Sequence, residues 1–144
     1  MQANEILYSE RQRFRQWWLW ILVLPGPTFF LWAVVKQIGM DSLVGNNPVN
    51  DVLLIIVGLG VGIGLPLFIY TMGLDTEVRR DGLYIRFKPF HRDWVVFEFM
   101  RIKKAELNIY NPLRDYGGWG IRYGSKGKAY NVSGNKGVLL TLDD

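Results

Sequence analysis

The sequence predicts a two-helix transmembrane hairpin followed by a small all-β domain, and two patterns support this fold class. Residues 17–35 and 52–74 carry no charged side chain, and as helices they would reach about 28 and 34 Å, against a hydrocarbon core of about 30 Å. From Asp75 onward, short runs of alternating apolar and polar residues are typical of strands. We therefore expect residues 1–74 to hold an N-terminal helix and the hairpin, and residues 75–144 to form a cytoplasmic β-domain.

The charged residues are concentrated in the second half of the chain. Residues 75–144 contain thirteen of the seventeen Lys and Arg and nine of the thirteen Asp and Glu. The chain has no cysteine, which excludes a disulfide framework and a thiolate-bound metal. A signal peptide is the alternative for the first apolar run, but such a peptide has a shorter apolar region and a small-residue cleavage site. We expect this run to be retained as a membrane span.

The basic residues that flank the two spans predict their orientation. Residues 1–16 contain three arginines against two glutamates, whereas residues 36–51 contain one lysine against two aspartates. Four further basic residues lie between positions 79 and 88. Because Lys and Arg near span ends favour the cytoplasmic side, we expect both termini in the cytoplasm and the connecting loop outside.

The first 35 residues read as one long helical segment. We expect residues 4–16 to be helical and continuous with the first span, and the Pro25-Gly26-Pro27 sequence to kink it, since proline removes a backbone donor. Tryptophans at both ends of the span fit the aromatic belts of membrane interfaces. The predicted interfacial anchors are Trp17, Trp18, Trp20 and Trp32.

The second span contains four glycines at alternate positions. Spacing by four pairs Gly58 with Gly62 and Gly60 with Gly64, and such pairs let two helix backbones approach closely. We expect helix packing through these glycines, with the first span or with another chain; the alternative is a glycine-rich helix without a fixed partner. The residue three positions after Gly60 is Ile63, so the run is not the dinucleotide-binding Gly-x-Gly-x-x-Gly.

The polar half reads as consecutive short strands. Asp81-Gly82 is a strong hairpin signal, and the residues that follow place Leu83, Ile85 and Phe87 on one face. Without a predicted helical crossover the sheet should be antiparallel, so we expect an antiparallel sandwich or open barrel. About seven strands are predicted, near residues 77–79, 83–87, 94–99, 102–110, 119–123, 128–132 and 138–142.

Three strings in this half resemble a known group of proteins. They are Asp-Gly-Leu-Tyr-Ile at 81–85, Gly-Trp-Gly-Ile-Arg at 118–122 and Gly-Lys-Ala-Tyr-Asn-Val-Ser-Gly at 127–134. They resemble small prokaryotic membrane proteins in which two membrane helices precede a cytoplasmic PH-like domain, mostly without an assigned activity. The resemblance implies a PH-like fold in a prokaryotic plasma (inner) membrane. A PH-like fold normally ends in a helix that closes the barrel, whereas this chain ends at its last predicted strand; either the chain is shortened or another element caps the sheet.

Basic residues near the spans are the candidate binding residues. Such clusters are attracted to anionic lipid, and the resemblance implies that the first hairpin borders a head-group pocket. The alternative is that these charges only set topology and solubility. The candidates are Arg79, Arg80, Arg86, Lys88, Arg11, Arg13 and Arg15.

No residue pattern predicts catalysis. The spans contain no ionisable side chain, which ion pathways normally require. The single histidine, His91, lies near Asp93 in a predicted turn, without a second histidine or a suitably spaced pair of carboxylates. We expect no catalytic residue, no cofactor and no metal. Trp119, Tyr123 and Tyr130 fit sheet packing better than nucleic-acid stacking, so we expect no nucleic-acid partner.

The expected function is that of a non-catalytic accessory or scaffold subunit of a larger membrane protein complex. Its partners would be other membrane protein subunits and bilayer lipids. The glycine face, the missing closing helix and the absence of catalytic chemistry favour this hypothesis. The alternative is a membrane-tethered PH-like module that binds anionic head groups or a cytoplasmic protein. An enzyme is the least favoured class, because it would need a polar pocket.

Overall fold

A computed structural model describes residues 5–40, 44 and 50–143. The chain divides into two compact units. The helical unit is Arg15–Thr71, and the β unit combines Met1–Phe14 with Met72–Asp144. Two long apolar helices and antiparallel sheets therefore make a helix-plus-sheet architecture.

The helical unit contains two helices, α1 (Trp17–Gly39, 23 residues) and α2 (Asp51–Thr71, 21 residues). Each is long and apolar enough to span a membrane, and few of their residues are buried within the chain. The second predicted span extends too far at its end. Helix α2 stops at Thr71, and Leu74 lies in a strand, where it is 5% exposed. Its apolar side chain packs in the core of the β unit. Hydropathy alone cannot distinguish such a core residue from a residue of a membrane span.

Proline and glycine alter the regular turns of both helices. In α1, α-helical segments Trp17–Val23 and Pro25–Val34 meet at Leu24, because proline supplies no amide hydrogen. A π-helical turn, Val35–Gly39, ends α1. A second π-helical turn, Gly60–Gly64, interrupts α2 at its glycines.

The β unit is built on a four-stranded antiparallel sheet with strand order β1-β2-β3-β4. The tight turn at Asp81 joins β2 to β3, as its Asp-Gly sequence predicts. The strands are β1 (Ile6–Arg13), β2 (Gly73–Arg79), β3 (Gly82–Lys88) and β4 (Val95–Glu98).

The prediction of a helix over residues 4–16 is wrong. Residues 6–13 form β1, which pairs antiparallel with β2 and places Arg11 opposite Asp75. Glu, Gln and Arg favour helices in isolation, but tertiary contacts override such propensities. Residues 6–13 instead form hydrogen bonds with the edge of β2, which begins sixty residues after Arg13. A partner so distant in the sequence leaves no local signal. The N-terminal segment therefore belongs to the β unit.

The remaining strands form two ribbons. Strand β5 (Ile102–Ile109) pairs with β8 (Lys136–Leu142), and β6 (Gly120–Gly124) pairs with β7 (Gly127–Asn131). The described residues thus contain eight strands: the seven expected ones and β1. A short helix, α3 (Pro112–Tyr116), lies where we expected only loop.

The core of the β unit lies on one face of the four-stranded sheet. Leu74, Phe87 and Val132 are its buried side chains, with Phe14 and Met72 packed against them. Ile85, Ile121 and Tyr130 complete its partly buried margin. This core is small, which is expected of so short a chain segment.

Candidate functional site

The other face of the sheet carries a row of charged side chains across three strands. Asp75 lies at the centre of the row, with Arg11 of β1 on one side and Arg86 of β3 on the other. The next row, at the end of the sheet where β1 ends and β2 begins, places Gly73 between Arg13 and Lys88. Because side chains in a strand alternate between faces, these residues share one surface. We call Arg11, Arg13, Arg86 and Lys88 the basic face.

Three of these cations converge on one carboxylate. Lys88 Nζ lies 2.8 Å from Asp75 Oδ2, Arg11 Nε 2.8 Å from Oδ1, and Arg86 Nη2 3.3 Å from Oδ2. Asp75 is only 6% exposed, whereas the three cations remain partly exposed. Since Arg13 adds a fourth cation, the carboxylate neutralises only part of the local positive charge.

The pKa of Asp75 reflects this arrangement. Burial acts to raise the pKa of the Asp75 carboxyl, but hydrogen bonds from Lys88 and Arg11, together with the Lys88 charge and a bond from Arg86, outweigh it and hold the pKa below its usual value. Asp75 therefore carries its negative charge at neutral pH and fixes the positions of three basic side chains.

Further along the same face, aromatic rings lie against Arg79 and Arg86. Arg79 pairs with Glu77 at 2.8 Å and lies over the Tyr84 ring at 4.1 Å. Arg86 lies over the Trp94 ring at 4.4 Å, a cation–π distance. The sequence does not single out Trp94 for this role, because no spacing pattern links it to β3.

The seven predicted head-group residues therefore do not form one cluster. Arg11, Arg13, Arg86 and Lys88 lie together, whereas Arg79 packs against aromatic rings. Arg80 pairs with Glu5 at 2.5 Å, and Arg15 belongs to the helical unit. A shallow hollow of about 320 Å³ beside Asp75 is lined by both acidic and basic side chains, including Glu10 and Arg11.

The four glycines of α2 divide into two pairs. A methyl group on Gly58 would come within 2.8 Å of Val34 Cγ2, and one on Gly62 within 3.3 Å of Leu31 Cγ. Both neighbours belong to α1, so this pair lies at the contact between the helices. A methyl group on Gly60 would meet no atom within 4 Å, and one on Gly64 would approach only a backbone oxygen of α2.

The other residues singled out from the sequence are the tryptophans of α1 and His91. Trp17, Trp18 and Trp32 are exposed along α1, and their interfacial role, like that of Trp20, stays a prediction. His91 closes the turn after β3, where its Nδ1 accepts a hydrogen bond from the Phe87 amide at 3.3 Å. Among the described residues, no three His, Cys, Asp or Glu side chains are grouped closely enough to hold a metal ion.

Asn131 also has a clear structural role. Its Oδ1 accepts a hydrogen bond from the Gly120 amide at 2.9 Å, and its Nδ2 donates to the Tyr110 hydroxyl at 3.2 Å. The side chain is buried, and it ties β7 to β6 and to the residue that follows β5.

Comparison with known proteins gives one match. A family model described as "Family of unknown function (DUF6141)" matches residues 2–131. The match extends from before β1 to the end of β7 and so includes both helices and the basic face. No curated protein and no solved structure matches the chain.

Proposed function

The chain belongs to the DUF6141 family, a family of unknown function, and we propose that it is a non-catalytic integral membrane protein whose basic face contacts anionic lipid head groups. The observation that carries this proposal is the gathering of four basic side chains on one face of the sheet, three of them paired with a single buried carboxylate. Basic residues near an anionic membrane surface each contribute about 1 kcal/mol of binding.

The connectivity of the chain supports the proposal. Strand β1 ends at Arg13, four residues before α1 begins, and β2 begins at Gly73, two residues after α2 ends. An extended chain covers at most about 3.6 Å per residue, so the Arg13 end of the sheet stays close in chain length to both helices. Basic side chains at that end would be within reach of lipid head groups.

The pairing of β1 with β2 supports the hairpin topology. Two strands can share a sheet only if the segments before α1 and after α2 lie on the same side of a membrane, which two crossings allow. The basic flanks of the helices favour the cytoplasmic side for both termini. We propose that the protein lies in a prokaryotic plasma membrane, with the β unit as a PH-like cytoplasmic module.

Native mass spectrometry of the full chain, solubilised with phosphatidylcholine and phosphatidylglycerol, tests the proposal. We expect the wild-type chain to retain phosphatidylglycerol preferentially and to lose it as salt is raised, since salt screens exposed charges. The double variant Arg13→Gln with Lys88→Gln should retain phosphatidylglycerol about thirtyfold more weakly. The charge-matched control is Lys103→Gln with Lys136→Gln, on the β5–β8 ribbon.

Equal retention by the two double variants would contradict lipid binding by the basic face. Because Lys88→Gln also removes a bond to Asp75, the thermal unfolding midpoint must be measured for both variants. Arg13→Gln alone serves as the second test, since Arg13 makes no bond to Asp75 among the contacts described here.

A second candidate function, that of an accessory subunit, is favoured by the β5–β8 ribbon. Leu107 is 92% exposed, Val138 opposite it is 61% exposed, and Ile109 is 74% exposed. Exposed apolar side chains grouped in this way are typical of an interface with another protein. We propose that the partner is another subunit of a membrane protein complex. A cytoplasmic protein is the alternative partner.

Site-specific photo-cross-linking in cells separates the two candidates. A photoreactive residue at position 107 should give a discrete cross-linked product of higher mass, identifiable by mass spectrometry as a membrane protein subunit. The same residue at position 106, on the opposite face of β5, is the matched control. Recovery of only the uncross-linked chain from both positions would count against the accessory role.

A further inference from the structure

The core leaves part of the inner face of the sheet uncovered. Leu74 and Phe87 are buried at the end of the sheet that joins the helices. At the other end, Leu83 and Ile85 of β3, together with Val95 and Phe97 of β4, line a cavity of about 560 Å³. This volume is within the range of small-molecule pockets, about 300–1,000 Å³.

The opposite walls of the cavity are also mostly apolar. Strand β8 contributes Leu139, Leu140 and Leu142, and the rings of Tyr110 and Tyr116 add aromatic surface. The cavity is partly open to solvent, so an apolar ligand has a route of entry. Filling such a space with hydrocarbon removes apolar surface from water, which is favourable by about 25 cal/mol per Å².

The charged side chains at this cavity are all of one sign. Lys126 and Lys128 are the charged residues in its lining, and no carboxylate contributes to it among the described residues. Lys128 shares a face of β7 with Tyr130, and its Nζ lies 4.9 Å from the Tyr130 ring centre. Lys126 Nζ lies 3.4 Å from Asn108 Oδ1. Both lysines are exposed, so their amines can meet an anionic group and stay hydrated.

We propose that this cavity binds a single-chain amphiphile with an anionic end, of the chemical class of fatty acids. The hydrocarbon chain would lie between β3, β4 and β8, and the carboxylate would pair with Lys126 and Lys128. A carboxylate leaves water only at high cost unless it is paired and hydrogen-bonded, and the two amines supply that pairing. This site lies on the opposite side of the sheet from the basic face and is independent of the lipid-head-group proposal.

Photolabelling of the full chain tests the proposal. The chain is placed in phosphatidylcholine nanodiscs with a palmitic acid analogue that carries a diazirine on its chain, and the labelled peptides are mapped by mass spectrometry. We expect label within residues 83–97 and 138–142, in addition to background label in the two helices. Unlabelled palmitic acid should compete for the β-unit label, and palmitic acid methyl ester should compete about tenfold more weakly, because it lacks the charge.

Two kinds of variant locate the site. Leu140→Phe and Val95→Phe each add volume to the cavity and should reduce the β-unit label, while the helix label stays constant. Lys126→Gln with Lys128→Gln should reduce it about tenfold by removing the charge pairing. Lys136→Gln, on β8 but outside the lining, is the matched control. The thermal unfolding midpoint of each variant is measured in the same preparation.

Label confined to the helices of the wild-type chain would overturn the proposal, and so would equal competition by the acid and its ester. The competition experiment uses only the wild-type chain, so it decides the matter even if a filled variant fails to fold. A loss of label in the Arg13→Gln with Lys88→Gln variant would also contradict it, because those residues lie on the other face.

Discussion

At the scale of single residues, the carboxylate of Asp75 holds three side chains of the basic face in place. It binds Arg11, Arg86 and Lys88 across three strands. Asparagine would leave these cations without a counter-charge, and we expect Asp75→Asn to lower the free energy of unfolding by about 1–3 kcal/mol, a range that allows for the partial exposure of the cations. Chemical denaturation measures this change. Asp93→Asn, which removes an exposed carboxylate from a turn of the same unit, should have little effect.

Asp75→Asn also distinguishes structure from function. The variant removes a negative charge from the basic face, so it should retain phosphatidylglycerol at least as strongly as the wild type while being less stable. A loss of lipid retention in parallel with stability would contradict lipid binding through the charge of the basic face.

The lowered pKa of Asp75 predicts how stability depends on pH. In the unfolded chain an aspartate titrates near pH 4, whereas the folded environment holds the pKa of Asp75 below its usual value. The stabilising contribution is therefore complete above about pH 4 and is lost as the pH falls through the lower, folded pKa. Denaturation at pH 7, 5, 4 and 3 should show this loss, with a shallower decline in Asp75→Asn. An equally steep decline in both proteins would contradict this assignment.

At the scale of elements, the contact between α1 and α2 depends on the first glycine pair. Gly58→Leu would place a side chain where even a methyl group lies 2.8 Å from Val34, and overpacking of this kind costs about 1–3 kcal/mol. Gly60→Leu adds the same side chain to a position with no neighbour within 4 Å. We expect the first variant to lower the unfolding midpoint in detergent and the second to leave it nearly unchanged. Equal midpoints would contradict the helix contact.

Local patterns were enough to predict most elements. Alternation and the Asp-Gly turn predicted the strands after Asp75, and hydropathy predicted both long helices. Helix α3 also has capping residues that are recognisable in the sequence. Asn111 caps it, Pro112 occupies its first turn, and Gly117 ends it with a φ of 70°, which is the expected arrangement of a short helix.

The candidate site could be predicted only in part. Four residues of the basic face were named from their position near the spans, but Asp75, the partner that three of them share, was not. Its role requires β1 to lie beside β2, and this long-range pairing has no counterpart in local periodicity. The cation–π contacts of Trp94 were missed for the same reason.

At the scale of the whole molecule, the pairing of β1 with β2 constrains the proposed membrane topology. If the two helices cross a membrane, as we propose, strands that share one sheet require both ends of the helical hairpin to be on one side, and we expect the connecting segment on the other. The chain has no cysteine of its own, so Asn46→Cys and Lys136→Cys each provide a unique thiol. We expect an impermeant maleimide to label Asn46→Cys in intact cells and Lys136→Cys only after permeabilisation. The reverse pattern would place the β unit outside.

The division of one sheet between the two ends of the hairpin also affects biosynthesis. If the two helices are membrane spans, as we propose, β2 is synthesised only after both of them, because it begins sixty residues after Arg13. Until then the nascent N-terminal segment has no sheet to join. A chain in which only one of the two helices crosses the membrane would leave β1 without a partner and β2 with an unpaired edge, so completion of the sheet requires that both helices cross or that neither does.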